Sequence, residues 1–127
     1  MGSDLFGYHD RSRVVNGPGG RMTWIYILQC GEGRYAPVKV GRSDDPAARA
    51  KRTQTFNPYE IKVVAKFRLP SHMERELHHR WAGENLRGEW FKPNDEMLEI
   101  IDWYSSGSGS VPVRTGLSEF WVSKEAA

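Results

Sequence analysis

The stretch that decides the fold is residues 24–49, WIYILQCGEGRYAPVKVGRSDDPAAR. Residues 24–29 and 38–41 are rich in β-branched and aromatic residues, which favour strands. The segment between them contains glycines and a proline, which are typical of a turn. In the helix-favouring run that follows, an aspartate pair can cap the helix and Pro46 suits its first position. The stretch therefore predicts a β-hairpin followed by a helix.

Residues 61–69, IKVVAKFRL, predict a third strand. Because side chains alternate along a strand, one face carries Ile61, Val63, Ala65, Phe67 and Leu69, and the other carries Lys62, Val64, Lys66 and Arg68. The second face is therefore predicted to be largely basic.

Two amphipathic helices are predicted after this strand, in SHMERELHHRW and NDEMLEIIDWY. Ser71 and Glu74 have the spacing of a capping box, and Asn94 can cap the later helix. We expect an α+β fold, a small three-stranded and mainly antiparallel sheet flanked by helices. Residues 1–22 are predicted to be a flexible leader, residues 23–104 the domain, and residues 105–127 a Gly/Ser linker with a C-terminal arm.

The totals exclude several classes of protein. The 127 residues fit one domain, and a hydrophobic content of 39% suffices for a small core. No apolar run approaches the roughly 20 residues that span a membrane. The single cysteine, Cys30, excludes an intrachain disulfide and a cysteine-only zinc site. We therefore expect a cytoplasmic protein without a membrane partner.

Charge is unevenly distributed, although the net charge is only +2. Residues 34–92 contain 13 Lys and Arg against 7 Asp and Glu, whereas residues 93–127 contain 2 against 6. A basic central region favours a polyanionic partner such as nucleic acid.

Five residues are candidates for phosphodiester chemistry: Tyr26, Lys39, Arg49, Glu74 and His78. Glu74 and His78 are four apart and share one helix face. Tyr26 lies on the first strand, and Arg49 follows a helix N-terminus, which itself suits anions. Cleavage of a phosphodiester needs a proton acceptor, a cation for the developing charge and a carboxylate for a divalent metal ion.

The order of these pieces resembles the GIY-YIG nuclease superfamily. The pieces are WIY and, 12 residues later, KVG, then RSDDPAAR, MERELHHRW and RGEWF. They are most similar to the branch found in phage and bacterial proteins and in the fungal meiotically up-regulated group, with its KIG, ExxLHxxF and GEWF motifs. The resemblance runs from about Trp24 to Ile101 and implies a GIY-YIG-like fold.

The resemblance also implies a role for each matching residue. Tyr26 would position or deprotonate the attacking water, and Arg49 would stabilise the phosphate. Glu74 would bind a single Mg²⁺ or Mn²⁺ ion. His78 would be a second proton-transfer group or a phosphate contact, and Gly41 would let the backbone approach closely.

Lys39 stands where the family has its second tyrosine. A lysine can bind the scissile phosphate or, with a lowered pKa, transfer a proton. Tyr35, in the predicted turn, is a second source of a phenol. The sequence leaves these alternatives open.

We expect a metal-dependent DNA endonuclease. Its predicted phosphate contacts, which position DNA without reading its sequence, are Arg42, Lys51, Arg52, Lys62, Lys66 and Arg68. A homodimer or a separate DNA-targeting partner would supply double-strand cleavage or specificity. The alternative is a non-catalytic nucleic-acid or protein-binding module on the same fold, which the replacement of the second tyrosine favours.

Overall fold

The computed structural model describes residues 21–116 and 118–124. Of the predicted leader, residues 1–20 lie outside the described residues. The elements are β1 (Met22–Cys30), β2 (Val38–Ser43), α1 (Pro46–Gln54), β3 (Ile61–Pro70), α2 (Met73–Arg80), a 3-10 turn (Ala82–Glu84), β4 (Asn85–Arg87), β5 (Trp90–Phe91), α3 (Asp95–Ser106), β6 (Ser110–Arg114) and β7 (Glu119–Ser123).

Five strands form one antiparallel sheet in the order β3-β1-β2-β5-β4, which confirms the α+β class. The hairpin of β1 and β2 pairs Tyr26 with Gly41, and β1 pairs Tyr26 with Lys66 on β3. The sheet has five strands rather than the three predicted, because the short strands β4 and β5 extend it beyond β2. None of the helices in the described ranges combines the length and apolar character needed to cross a membrane.

The main core lies on one face of the sheet, against α2, α3 and the pair formed by β6 and β7. The predicted helical stripe is confirmed, because Met73, Leu77 and Trp81 are all buried there. A smaller cluster on the other face joins Tyr26 and Leu28 of β1 to Ala50 of α1. The sheet is therefore covered on both faces, and α1 covers the face that carries Tyr26.

A β-bulge between Ile27 and Leu28 changes the face to which β3 side chains point. Beyond it, Ala65, Phe67 and Leu69 enter the main core as predicted, but Ile61 and Val63 join the smaller cluster on the α1 face. The prediction of one continuous apolar face was therefore wrong. Since Lys62 alternates with Ile61 and Val63, it lies on the face opposite Lys66 and Arg68, and the predicted basic face is divided.

The helix caps agree with the sequence at two of three positions. Asp45 caps α1 by accepting a hydrogen bond from the Ala48 N–H, and Asn94 caps α3 by accepting from the Met97 N–H. The capping box predicted for Ser71 and Glu74 was wrong, because α2 begins at Met73 after an N-cap residue, His72, that makes no side-chain capping bond. Glu74 is thus not used as a cap.

The segment after α3 folds back as the antiparallel pair of β6 and β7. Its inward side chains, Val111, Val113, Phe120 and Val122, belong to the main core. The predicted linker at 105–110 is reduced to residues 107–109, since Ser105 and Ser106 complete α3 and Ser110 begins β6. What the composition indicated as an arm is part of the folded domain.

An ion pair joins α2 to α3. The Arg80 guanidinium donates to both oxygens of Glu96, with Nε 2.8 Å from Oε1, and the Trp81 indole N–H donates to the same oxygen at 2.9 Å. Arg80 also donates to the carbonyl oxygen of Thr115 in the turn after β6. One carboxylate therefore fixes the positions of two helices.

Candidate active site

A cleft of about 410 Å³ opens where the end of β2 meets α1 and α2. It is lined almost entirely by polar and charged residues: Arg21, Thr23, Arg42, Ser43, Asp44, Arg49, Glu74 and Glu89. Three of the predicted residues, Arg42, Arg49 and Glu74, thus meet in one place although they come from different elements. A cleft that combines guanidinium groups with carboxylates suits a phosphate and a cation better than an apolar ligand.

Tyr26 and Gly41 are not among the described residues that line this cleft, but Tyr26 is close enough to Arg49, Glu74 and Glu89 for their charges to act on its pKa. The hairpin strands pair Tyr26 directly with Gly41, and Tyr26 is fully buried. A Cβ on residue 41 would overlap the Tyr26 hydroxyl and lie 2.7 Å from its Cζ. The resemblance implied that the backbone is closely approached at Gly41, and the group that approaches it is the ring of Tyr26. Residue 41 must therefore be glycine for the ring to keep its position.

Two buried polar atoms here, the Tyr26 hydroxyl and Arg49 Nε, make no hydrogen bond of good geometry among the described residues. Arg49 lies in α1, one turn after the Asp45 cap. Burial raises the pKa of Tyr26, and the carboxylates of Glu89 and Glu74 add to that rise. The positive charge of Arg49 and a side-chain hydrogen-bonding contact with the same residue oppose it. Tyr26, Arg49 and Glu74 therefore act on one another electrostatically.

Glu74 projects from the first turn of α2 with only 16% of its side chain exposed. Its Oε1 lies 3.7 Å from Arg42 Nε, and its Oε2 lies 3.6 Å from His78 Nε2. Burial is the main cause of a raised Glu74 pKa, which the neighbouring His78 opposes and the charge of Glu89 reinforces. The carboxylate is thus held in the cleft between two basic groups.

His78 connects α2 to the sheet. Its Nε2 lies 2.7 Å from the carbonyl oxygen of Val40, and its ring packs edge-on against Phe91 with centroids 5.2 Å apart. A carbonyl oxygen can only accept, so Nε2 carries the hydrogen in this contact. That nitrogen is therefore occupied by the backbone, and the geometry favours a role in tying α2 to β2 over the predicted proton transfer.

Lys39 lies on the Tyr26 face of the sheet but does not line the cleft as the described residues form it. Its Nζ is 4.0 Å from an oxygen of Glu89, whose backbone carbonyl accepts from the Val40 N–H. Tyr35 is exposed in the turn between β1 and β2. Of these three residues, only Glu89, to which the sequence assigned no role, contacts the cleft.

The predicted phosphate contacts divide into separate groups. Lys66 and Arg68 lie over the half-buried ring of Trp24, at 4.5 and 5.3 Å from its centroid, on the same face as Tyr26. Lys51 and Arg52 are exposed in the last turn of α1. Lys62 is on the opposite face, with Nζ 3.9 Å from Glu60, so its grouping with the other basic residues is not supported.

Sequence reasoning missed a corner of the cleft. Arg21 Nη2 pairs with Asp44 Oδ2 at 2.8 Å, and the hydroxyl of Thr23 is 3.5 Å from the other oxygen of that carboxylate. The sequence predicts only that Asp44 is one of two aspartates that can cap α1. Because one aspartate, Asp45, is enough to cap the helix, the presence of a second one beside it was the sign in the sequence that Asp44 has another role.

The chemistry of the cleft fits one divalent ion shared with a substrate. The described residues include no group of three His, Cys, Asp or Glu side chains placed to hold a metal. Mg²⁺ commonly binds through one or two carboxylates, substrate phosphate and water, so a complete protein cage is not required. Glu74 and Glu89 both line the cleft and are the residues that would hold such an ion.

Comparison with known proteins gives one family. A family model for the T5orf172 domain matches residues 23–105. No curated protein and no solved structure matches the chain significantly.

The identification with the GIY-YIG nuclease superfamily was therefore wrong, because the family whose model matches is a different one. Each motif behind that resemblance is only a few residues long, so their shared order did not distinguish the families. The roles that the resemblance implied for Tyr26, Arg49, Glu74 and His78 now depend on the geometry alone.

Proposed function

This chain belongs to the T5orf172 domain family, and on that premise we propose that it is a DNA endonuclease that hydrolyses phosphodiester bonds in the cleft between β2, α1 and α2. The T5orf172 domain is associated with nuclease-like and DNA-binding function. The residues of the cleft support the more specific proposal that the reaction is hydrolysis of a phosphodiester bond.

The observation that carries the proposal is the pair of buried polar atoms that make no hydrogen bond of good geometry among the described residues, the Tyr26 hydroxyl and Arg49 Nε. A buried polar group without a hydrogen bond destabilises a fold by about 1–3 kcal/mol. Such groups are retained where a ligand supplies the missing partner. A phosphate oxygen bound beside Arg49 would accept from both atoms.

In the proposed reaction, a water oxygen bonds to phosphorus as one P–O ester bond breaks. One proton of that water goes to solvent, and the leaving oxygen gains a proton. Arg49 neutralises the negative charge that develops on the phosphoryl oxygens, with Arg42 as a second cation at the cleft. Tyr26 donates a hydrogen bond from its hydroxyl to a phosphate oxygen or orients the water, and His78 ties α2, which carries Glu74, to β2.

We further propose that Glu74, with Glu89 beside it, holds a divalent cation such as Mg²⁺ or Mn²⁺. When bound, such an ion supplies positive charge and makes a bound water more acidic. Because the described residues of one chain form one such cleft, the expected product is a nicked strand. Double-strand cleavage would need a homodimer or a separate DNA-targeting partner, and we expect the protein to work in the cytoplasm.

A nucleic-acid-binding module without catalysis is the second candidate. The ion pair between Arg42 and Glu74 favours it, because that carboxylate already has a cationic partner within 3.7 Å. Lys39 gives this candidate no support, because the tyrosine that it was compared with belongs to a different family.

Nicking of supercoiled plasmid tests the proposal. The parent, Glu74→Gln, Arg49→Ala and the control Glu76→Gln, which alters an exposed carboxylate on the same helix, are incubated with Mg²⁺ or Mn²⁺ and with EDTA. We expect the parent and Glu76→Gln to nick plasmid with either metal ion and not with EDTA. Removal of one group that stabilises the transition state should slow the two cleft variants by about a hundredfold or more. Plasmid binding without nicking by the parent would select the second candidate.

A further inference from the structure

Two large aromatic side chains are exposed in the loop between α1 and β3. Phe56 is 92% exposed and Tyr59 is 64% exposed. The transfer of an aromatic side chain from water to a contact surface is favourable, so exposure of two in one loop indicates an interaction site. Together these two side chains are called the platform below.

The platform is held on a fixed backbone. The Gln54 side chain donates to the carbonyl oxygens of Asn57 and Tyr59 and accepts from the Ile61 N–H at 2.8 Å. Asn57 Oδ1 accepts from the Tyr59 N–H at 3.0 Å. These bonds tie both ends of the loop to α1 and β3. Binding at the platform would therefore lose little backbone freedom.

Positive charge lies directly before the platform. Lys51 and Arg52 are exposed in the last turn of α1. Thr55 keeps helical backbone angles and the Asn57 N–H donates to the Gln54 carbonyl, so Phe56 follows Arg52 by one further turn. The acidic residue of the loop, Glu60, is paired with Lys62. A guanidinium one turn from an exposed ring can contact a phosphate while the base stacks on the ring.

The platform is connected to the cleft through α1. The helix begins beside cleft residues Ser43 and Asp44 and contains Arg49. From Arg49 to Phe56 the chain advances seven residues, a helical rise of about 10 Å. At about 3.4 Å per nucleotide in a stacked strand, that length corresponds to roughly three nucleotides. A strand with its phosphate at Arg49 would therefore pass Lys51 and Arg52 and reach Phe56.

We propose that Phe56 and Tyr59 stack on unpaired bases, so that the substrate of the cleft carries a single-stranded segment next to the scissile phosphate. The inference rests on the proposed nuclease function and names its substrate class. Paired bases keep their faces covered by their neighbours in a duplex, whereas every unpaired base offers a face to an aromatic ring. The adjoining basic turn favours nucleic acid over an apolar protein surface or a second copy of the chain.

Fluorescence anisotropy tests the platform separately from catalysis. A labelled single strand of about 12 nucleotides and a blunt duplex of the same length are titrated in EDTA, so that no strand is cut. The parent is compared with Phe56→Ala and Tyr59→Ala, and with Leu86→Ala as an exposed apolar control on β4, at the far edge of the sheet. We expect the parent to bind the single strand more tightly than the duplex.

Each platform variant should weaken single-strand binding by about five- to a hundredfold and leave duplex binding and Leu86→Ala unchanged. Phe56→Trp should retain the affinity and Phe56→Leu should lose it, because leucine keeps apolar area without an aromatic face. If all these variants bind the single strand as the parent does, the platform is refuted while the nuclease proposal stands. A parent that binds neither DNA refutes both, and self-association that Phe56→Ala abolishes assigns the surface to a second copy instead.

Discussion

Tyr26 is the residue at which stability and function oppose each other. Its hydroxyl is buried beside the guanidinium of Arg49 and makes no hydrogen bond of good geometry among the described residues. A phenylalanine would fill the same space without a polar atom to satisfy. The hydroxyl therefore reduces stability in the unliganded protein, as expected of a group kept for a ligand.

We predict that Tyr26→Phe raises the free energy of unfolding by roughly 1 kcal/mol and slows plasmid nicking by about a hundredfold. Urea denaturation and the nicking assay measure the two effects. A variant that is less stable than the parent would show that the hydroxyl has a structural partner. A stable variant with parental activity would remove Tyr26 from the reaction.

Gly41 is expected to tolerate no side chain. A Cβ there would overlap the ring of Tyr26, and both residues belong to paired central strands that cannot move apart easily. We predict that Gly41→Ala lowers the free energy of unfolding by about 1–3 kcal/mol. Gly83→Ala is the matched control, because nothing lies within 4 Å of a Cβ at that position. Equal stability of the two variants in urea would contradict the overlap.

Single residues of the site could be predicted from the sequence where the chemistry of a side chain and its position on a helix indicated the same role. The spacing of Glu74 and His78 on one helix face predicts Glu74, and the place of Arg49 near a helix N-terminus predicts Arg49. Both residues line the cleft. Arg21 and Asp44 could not be found, since their ion pair joins segments 23 residues apart. Nor could the backbone contact of His78, which depends on where α2 crosses β2.

At the scale of elements, the link between α2 and α3 depends on one titratable group, Glu96. The hydrogen bond from Arg80 is the main cause of a lowered Glu96 pKa; burial opposes this effect, and the bond from Trp81 adds to it. A carboxyl whose pKa is lower when folded stabilises the protein at pH values above its unfolded pKa. That contribution is lost as the pH falls through the lower, folded value.

We therefore predict that Glu96→Gln reduces the loss of melting temperature between about pH 5 and pH 3, across the ordinary glutamate pKa of about 4.3. At pH 7 the variant should melt below the parent, because Arg80 loses its charged partner. Glu99→Gln, on the exposed side of the same helix, is the control and should follow the parent curve. Parallel curves for the parent and Glu96→Gln would contradict the role of this carboxyl.

Elements with a clear periodicity could be predicted from the sequence, and irregular ones could not. The alternation in β3 and the stripe Met73, Leu77 and Trp81 placed a strand and a helix correctly. The bulge at Ile27 and Leu28 arises from how β1 and β3 pair, which neither strand's sequence specifies alone. Strands as short as β5, with two residues, contain too few side chains to show a pattern.

At the scale of the whole molecule, the folded unit is longer than the family match. The match ends at residue 105, whereas the core also contains Val111, Val113, Phe120 and Val122 from β6 and β7. These strands cover part of the face that α2 and α3 leave open. The family boundary is therefore not the boundary of the hydrophobic core in this chain.

We predict that ending the chain at Gly109 abolishes cooperative thermal unfolding, because it exposes the core face under β6 and β7. In the full chain, Phe120→Ala should lower the free energy of unfolding by about 3–5 kcal/mol, whereas its exposed neighbour Trp121→Ala should have a much smaller effect. Circular dichroism during heating checks all three. A cooperative transition in the shortened chain would mean that the remaining core is sufficient.

The position of β6 and β7 also has a consequence for synthesis on the ribosome. The strands and helices from Met22 to Ser106 emerge first and can pair as they appear. Their apolar face nevertheless stays uncovered until residues 110–123 have left the exit tunnel. During that interval the nascent chain exposes hydrophobic surface to chaperones and to neighbouring chains. The yield of folded protein should therefore depend on how quickly residues 110–123 are translated.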